Sequence, residues 1–224
     1  MNHAALGRAC ATSIAQAFLP SRWHYFYARA KLRSDPLYPG VIEALRDSDA
    51  PLLDIGCGIG LLAHALRGAG LALPYVGVDN DAGKIAHAQR AALAAELQAV
   101  DFQSRDAAAG LPAHHGSVAI LDVLQYVEPH AQGALLDAAI GMLTPGAKLV
   151  IRTGLEDGSR RAWMTRAGDS VGRWLGWMNA GPKRYPDADA LRARFDAAGL
   201  HCEFGPLYGR TPFNNWRVVA TRPA

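Results

Sequence analysis

Two acids and a run of alternating glycines carry the clearest chemical signal in the chain. Residues 52–60 read Leu-Leu-Asp-Ile-Gly-Cys-Gly-Ile-Gly, so that Asp54 stands just before Gly56, Gly58 and Gly60. Alternating glycines let a ligand approach the backbone more closely than any Cβ would permit, and the first N–H groups of a following helix are free to bind it. The segment therefore predicts a loop that holds a nucleotide-type cofactor.

The spacing of the glycines argues against a dinucleotide. The fingerprint of nicotinamide and flavin cofactors is Gly-x-Gly-x-x-Gly, whereas the third glycine here falls one position early and Leu61 stands where glycine is required. Asp54 would repel a pyrophosphate, but its carboxylate at the end of a strand favours a ligand that carries positive charge. S-adenosylmethionine has an ammonium and a sulfonium group, and we predict it as the cofactor.

A second acid follows at the distance expected for ribose recognition. Residues 74–80 have the pattern of the next strand, and Asp79 lies 19 residues beyond Gly60. A carboxylate accepts hydrogen bonds from two vicinal hydroxyl groups. We therefore expect Asp79 to bind the ribose and Asn80, beside it, to contact the cofactor.

Strands and helices alternate between residues 50 and 152, which predicts a parallel sheet covered on both faces, with ligands at its carboxyl edge. With the glycine loop and Asp79, this pattern resembles the class I S-adenosylmethionine-dependent methyltransferases of the small-molecule type, over residues 41–222. The resemblance implies a Rossmann-like, doubly wound α/β fold of seven strands in the order 3-2-1-4-5-7-6, the last strand antiparallel. It also implies N-terminal helices and a helical insertion after strand 5.

The resemblance extends to three further segments. Residues 104–107 match the family's adenine-binding position, so Asp106 and the Ala107 amide are carried over. Residues 117–127 match the fourth strand and the loop between cofactor and substrate, and residues 143–151 match a helix, a Pro-Gly turn and the fifth strand. The predicted cofactor contacts are, in full, Tyr27, Lys31, Asp54, Gly56, Cys57, Gly58, Gly60, Asp79, Asn80, Asp106, Ala107, Asp122 and Val123.

A single domain is expected, because 224 residues of which 50% are hydrophobic can bury one sizeable core. Within it we predict an N-terminal helical lid at 1–48 and a cofactor-binding core at 49–152. A substrate-side insertion is predicted at 153–186, and a closing helix and hairpin at 187–224.

Composition excludes several classes of protein. Three cysteines without metal-ligand spacing predict neither a disulfide framework nor a metal site, and they fit a reducing, cytoplasmic compartment. No stretch has the length and apolarity of a stable membrane span. A net charge of +3 gives no support for a nucleic-acid partner. The oligomeric state is not indicated by the sequence.

Aromatic residues crowd the segment 22–32, which has helical character. Tyr27 and Lys31 lie one turn apart, where they would face the methionine carboxylate or the substrate, and Tyr25 is a candidate substrate contact. The alternative is a helix whose aromatic stripe packs on the sheet, and the sequence favours neither.

The segment 153–186 carries Trp174 at helical spacing with other apolar residues. This segment would cover an apolar substrate, form a dimer interface or contact a membrane surface. The sequence favours none of the three. Residues 152–194 hold nine basic residues against five acidic ones, which fits either a solvated helix face or attraction of an anionic substrate, including one on an acidic carrier protein.

Residues 205–216 separate two apolar runs and predict the loop of a closing antiparallel hairpin, with Arg210 and Asn214 as polar groups. Together with residues 23–39 and 121–126, this loop resembles a narrower group of methyltransferases associated with aryl-polyene pigment biosynthesis. That resemblance implies an aromatic or polyene acyl acceptor, including a carrier-bound one.

His24 and Tyr126 are the candidate general bases, although either residue would equally serve packing or orientation. The predicted substrate contacts are Tyr25, Tyr126, Arg152, Trp174, Arg210 and Asn214.

The resulting hypothesis is transfer of a methyl group to a small or carrier-bound metabolite, leaving S-adenosylhomocysteine. The alternative is a non-catalytic regulatory protein that binds either form of the cofactor. The basic character of residues 152–194 disfavours a polyamine substrate and therefore aminopropyl transfer. Methylation of RNA is disfavoured because the sequence shows no separate basic RNA-binding module.

Overall fold

A seven-stranded mixed sheet forms the centre of the computed structural model, which describes residues 7–155, 183–208 and 214–224. Its strands are β1 (Leu52–Ile55), β2 (Tyr75–Asp79), β3 (Val100–Ser104), β4 (Ser117–Leu121), β5 (Lys148–Gly154), β6 (His201–Pro206) and β7 (Asn215–Thr221). They lie in the order β3-β2-β1-β4-β5-β7-β6, and β7 is antiparallel to both of its neighbours. The predicted α/β fold, strand order and antiparallel last strand are confirmed.

Seven α-helices accompany the sheet in these ranges. They are α1 (Arg8–Gln16), α2 (Arg22–Ser34), α3 (Leu37–Leu45), α4 (Leu61–Gly68), α5 (Ala82–Ala94), α6 (Pro129–Gly141) and α7 (Ala188–Ala197). Side-chain oxygens of Ser21, Asp81 and Asp187 accept backbone N–H bonds at the starts of α2, α5 and α7, which fixes where these helices begin. Across the described ranges, no helix combines the length and apolar character needed to span a bilayer.

Alternation along β1 divides the core between the two faces of the sheet. Leu52 packs in a cluster with residues of α1 to α5, whereas Leu53 and Ile55 pack with residues of α6 and α7. Because β1 is central and fully covered, both faces of the strand are apolar except at Asp54. Asp54, the single acid of β1, therefore lies on the face of the sheet that α4 and α5 cover.

The fifth strand continues to Gly154, two residues into the segment predicted as an insertion. Residues 156–182, which include Trp174, lie outside the described residues, and so does Arg210 in the loop 209–213. The closing helix and the antiparallel hairpin are present as α7, β6 and β7.

Candidate functional site

The glycine loop joins β1 to α4 and turns in a conformation that favours glycine. Gly56 has φ of +79°, and a Cβ built there would lie 2.2 Å from Cγ2 of Val123 in the loop after β4. Gly58 has φ of +57°, but a Cβ at that position would meet no atom within 4 Å. Gly56 therefore allows two loops to approach each other, while Gly58 borders open space where a ligand has access to the backbone.

Asp79 lies at the carboxyl end of β2 and ties the glycine loop to the start of α5. Its Oδ2 accepts a hydrogen bond from the Gly58 N–H at 2.9 Å, and its Oδ1 accepts one from the Asp81 N–H at 2.9 Å. Each carboxylate oxygen has a second lone pair. The carboxylate is thus held in place by the backbone and keeps acceptor capacity for the hydroxyl pair of a ribose.

Asp54 is buried beneath the loop, with 2% of its surface exposed. The Tyr75 hydroxyl donates to its Oδ2 at 2.6 Å, while its buried Oδ1 has no hydrogen-bond partner. Burial raises the pKa of Asp54 to about 7, although the Tyr75 hydrogen bond opposes that rise. An unpaired buried carboxylate oxygen near the loop fits a positively charged ligand and disfavours an anionic one.

A raised pKa at Asp54 predicts a specific pH dependence of stability. Between about pH 4 and pH 7 the folded protein keeps a proton that the unfolded chain releases, so the free energy of unfolding falls as pH rises through this interval. Asn at position 54 still accepts from Tyr75 but does not titrate. We expect urea unfolding to show the stability of Asp54→Asn relative to wild type increasing from pH 5 to pH 7.5. A difference between the two proteins that is independent of pH would contradict this expectation.

The loop after β4 is fixed in an unusual backbone conformation. Asp122 has φ of +59°, a left-handed conformation that is uncommon for residues other than glycine, and its N–H donates to the Arg152 carbonyl at 2.8 Å. A 3₁₀ turn at Leu124–Tyr126 follows, with the Tyr126 N–H bonded to the Val123 carbonyl. Tyr126 therefore lies one short turn from the residue that contacts the glycine loop.

Helix α2 contacts α5 near its start and is joined through Asp35 to β5 at its end. Near its start, the His24 ring lies 4.0 Å from the His87 ring of α5, measured between ring centroids. At its end, Lys31 forms an ion pair of 2.9 Å with Asp35, which bonds to Arg152 of β5. A helix of this length spans about 20 Å. Helix α5 follows β2 and strand β5 pairs with β4, and β2 and β4 are the two neighbours of β1. The N-terminal lid stays a prediction.

A group of charges centred on the buried residues Asp35 and Arg152 connects α2 to the sheet. Both Asp35 oxygens accept from Arg152 Nη1, at 3.0 and 2.9 Å, and Arg152 Nε lies 3.2 Å from Asp122 Oδ1. Burial alone would raise the pKa of Asp35, but Arg152 and Lys31 outweigh it and lower that pKa to about 2. We call Lys31, Asp35, Asp122 and Arg152 the ionic network. No role was predicted for Asp35 from the sequence, although it is the first acid of the chain.

Several predicted site residues have partners inside the protein. Arg152, predicted to bind substrate, is 7% exposed and engaged in the ionic network. Asn214 is 1% exposed; its amide donates to the Leu155 carbonyl at 2.9 Å and accepts from Trp216 Nε1 at 3.1 Å. For both residues, direct contact with a methyl acceptor would require these bonds to open, because in the structure the two side chains link neighbouring elements.

The remaining predicted cofactor residues lie at or near the carboxyl edge. Asn80 and Asp106 are exposed there, and Ala107 begins a 3₁₀ turn after β3. Cys57 is buried, and burial raises the pKa of its thiol well above the usual range, so it packs as an uncharged group. Among residues 7–155, 183–208 and 214–224, no cluster of His, Cys, Asp and Glu has the arrangement of a metal site.

Comparisons with known proteins agree with this geometry. Residues 24–203 match the model of a family described as a methyltransferase domain. A ubiquinone biosynthesis O-methyltransferase of Nitrobacter winogradskyi is 28% identical over 153 residues, covering 66% of this chain and 56% of that protein. Another from Xylella fastidiosa is 31% identical over 110 residues, covering 47% of this chain and 42% of that one. The chain thus spans about half the length of the curated relatives it matches.

Solved structures share the fold at low sequence identity. Magnesium protoporphyrin IX methyltransferase from Synechocystis, with bound S-adenosylhomocysteine, superposes with a TM-score of 0.65 at 16% identity, covering 94% of this chain and 99% of that one. The [4+2]-cyclase SpnF has a TM-score of 0.62 at 20% identity, covering 84% of this chain and 80% of that one. The family match covers most of the chain, and the chain therefore belongs to the methyltransferase-domain family, which confirms the predicted class I S-adenosylmethionine-dependent membership.

Proposed function

We propose that the chain transfers a methyl group from S-adenosylmethionine to an oxygen of a small aromatic or acyl metabolite, free or bound to a carrier protein. The observation that carries the proposal is the pairing of Gly58 with Asp79. Gly58 leaves open space beside the backbone, and its N–H holds a carboxylate that keeps acceptor capacity for a ribose. The unpaired oxygen of Asp54 is an acceptor beneath the loop, and a positively charged group of the cofactor would favour the ionised form of that carboxyl group.

The bound cofactor supplies an electrophilic methyl group. The task of the protein is to align the acceptor and exclude water, and alignment of bound reactants lowers a barrier by about 7–11 kcal/mol. We expect helix α2, which contacts α5 at His24 and the ionic network at Lys31, to help close the pocket. The left-handed backbone at Asp122 precedes Val123, whose side chain packs against the glycine turn.

Tyr126 is the proposed contact to the acceptor hydroxyl. It follows Val123, whose side chain would meet a Cβ at Gly56, so it lies close to the cofactor loop. His24 lies at the other end of α2, against His87, and burial, His87 and Arg90 lower its pKa. A neutral imidazole can accept a proton, but the contacts of His24 are with α5, and we assign it a lid-packing role.

The curated relatives support an oxygen acceptor, since both are named as O-methyltransferases of ubiquinone biosynthesis. An aromatic hydroxyl must lose its proton during transfer, and a positioned side chain contributes about 100-fold to 10,000-fold to such a step. The finer assignment to an aryl-polyene or carrier-bound acyl substrate rests on the sequence resemblance of residues 23–39, 121–126 and 205–216.

Transfer of labelled methyl groups tests this proposal. Purified protein with labelled S-adenosylmethionine is expected to label a small molecule in a lysate of the producing cells. Tyr126→Phe is expected to lower the turnover number about 100-fold and to leave the affinity for S-adenosylhomocysteine unchanged. Tight cofactor binding with no labelled acceptor would contradict catalysis and favour the regulatory alternative. Unchanged turnover in Tyr126→Phe would contradict the assignment of that residue only.

A further inference from the structure

The outer side of α2 exposes large apolar side chains. Trp23 is 61% exposed, Phe26 58%, and Leu19, in the turn before the helix, 51%. In the part of the chain that the structure describes, the one other large hydrophobic side chain exposed in this way is Leu93, which is 81% exposed on α5. Three of these four side chains are therefore concentrated on one short segment.

Arginines flank the exposed aromatic side chains on α2; Arg22 is exposed, and Arg29 and Arg33 are partly exposed. Trp23 and Phe26 are three residues apart and share one side of α2. At 100° per residue, Arg22, Arg29 and Arg33 fall on the strip of helix beside Phe26. Residues 1–34 contain five Lys and Arg and no Asp or Glu, so no acid of this segment neutralises the strip. We call Leu19, Arg22, Trp23, Phe26, Arg29 and Arg33 the α2 outer face.

We propose that the α2 outer face docks the protein on the surface of an anionic phospholipid bilayer. A helix that combines Trp and Phe with a flanking row of basic residues lies in the bilayer interface, with the aromatic rings at the headgroup level and the cations near lipid phosphates. The face is too short to insert across a membrane, and the proposal is a peripheral contact. It does not depend on methyl transfer.

The positive charge of the α2 outer face disfavours a second copy of the chain as its binding partner. In a symmetric dimer the same face meets itself, so two sets of arginines would face each other with no acid from residues 1–34 between them. A bilayer supplies negative charge and an apolar layer together, which matches both kinds of side chain on the face. The opposite side of α2 leads through Lys31 and Asp35 to Arg152, so the contact would bring the lid of the pocket against the lipid surface.

Co-sedimentation of the full chain with vesicles tests the proposal. We expect binding to phosphatidylcholine vesicles that contain about 30% phosphatidylglycerol, little binding to phosphatidylcholine alone, and weakening by added salt. Each arginine removed is expected to lower the partition coefficient about fivefold. Arg22→Glu with Arg29→Glu should abolish binding, whereas Arg46→Glu, an exposed charge reversal in the turn after α3, should not.

The apolar part of the face has its own matched control. Trp23→Ser with Phe26→Ser is expected to lower binding to anionic vesicles at least as strongly as the arginine changes, while Leu93→Ser leaves it intact. The proposal would be overturned if Trp23→Ser with Phe26→Ser bound anionic vesicles as strongly as Leu93→Ser. Failure of the wild type to bind anionic vesicles would also overturn it. So would concentration-dependent dimerisation that Trp23→Ser with Phe26→Ser abolishes. A fall of about 5 °C or more in the unfolding midpoint of that double variant without lipid would show that protein covers the face, and would also overturn it.

Discussion

Replacing Gly58 with alanine is expected to lower the affinity for S-adenosylhomocysteine about 10-fold to 100-fold. The new methyl group would point into the open space beside the loop, where no protein atom lies within 4 Å, and would therefore collide with the cofactor and not with the protein. Overpacking a well-fitted contact costs about 1–3 kcal/mol, which corresponds to that loss of affinity. Isothermal titration calorimetry measures the change directly.

Gly70→Ala provides a control with the same backbone strain. Gly70 has φ of +80°, also has open space around its Cβ position, and lies in the turn after α4, at the other end of that helix from the glycine loop. Alanine in a left-handed conformation costs about 1–2 kcal/mol at either position, so both variants should lose similar stability. Loss of affinity in both variants, or in neither, would contradict the assignment of Gly58 to the cofactor pocket.

Replacing Asp35 with alanine is expected to lower the free energy of unfolding by about 3–5 kcal/mol. Among the described residues, the change leaves the Arg152 side chain, which is 8% exposed, with its ion pair to Asp122, and it removes the ion-pair partner of Lys31. A buried charge that loses a partner bears the full cost of its desolvation. Urea unfolding at neutral pH gives the magnitude.

Glu43→Ala is the matched control for Asp35→Ala. Glu43 pairs with Arg217 at 2.9 Å, but its side chain is 42% exposed, so we expect a loss of at most about 1 kcal/mol in the free energy of unfolding.

The effect of Asp35→Ala is also expected to depend on pH. The pKa of Asp35 is lowered to about 2, so the contribution of Asp35 to the free energy of unfolding is complete above about pH 4 and disappears as pH falls toward 2. Equal losses in the two variants, or an Asp35→Ala deficit that persists at pH 2, would contradict a buried ionic network.

The parts of the fold that were predictable are those that local pattern determines. The strand before Gly56 and the strand ending at Asp79 are short apolar runs bounded by turn residues, and their order follows from alternation with helices and from the family resemblance. The glycine loop was predictable for the same reason, since its residues are contiguous. Asp79 was found because its spacing from the loop reflects one complete helix and strand.

Contacts between distant segments could not be predicted in this way. Asp35 and Arg152 are 117 residues apart, and only the packing of α2 and α3 against β5 brings them together. The Tyr75 hydrogen bond to Asp54 depends on strand register, because Tyr75 pairs with Leu52 and its hydroxyl reaches two residues further along β1. Arg152 was predicted to touch substrate from its charge and position alone, and its burial among acids is a tertiary property.

Fold similarity by itself does not decide the chemistry of this chain. The [4+2]-cyclase SpnF and the magnesium protoporphyrin IX methyltransferase share the architecture at comparable TM-scores. Function depends on the groups placed at the carboxyl edge. The groups that we propose for this chain are the open backbone at Gly58, the fixed carboxylate of Asp79 and the unpaired oxygen of Asp54.

Calorimetric titration of the purified chain with S-adenosylhomocysteine, with NAD titrated in parallel, tests the assignment of this pocket most directly. We expect one molecule of S-adenosylhomocysteine to bind per chain and NAD to produce no saturable heat. Saturable binding of NAD, with no response to S-adenosylhomocysteine or S-adenosylmethionine, would contradict it.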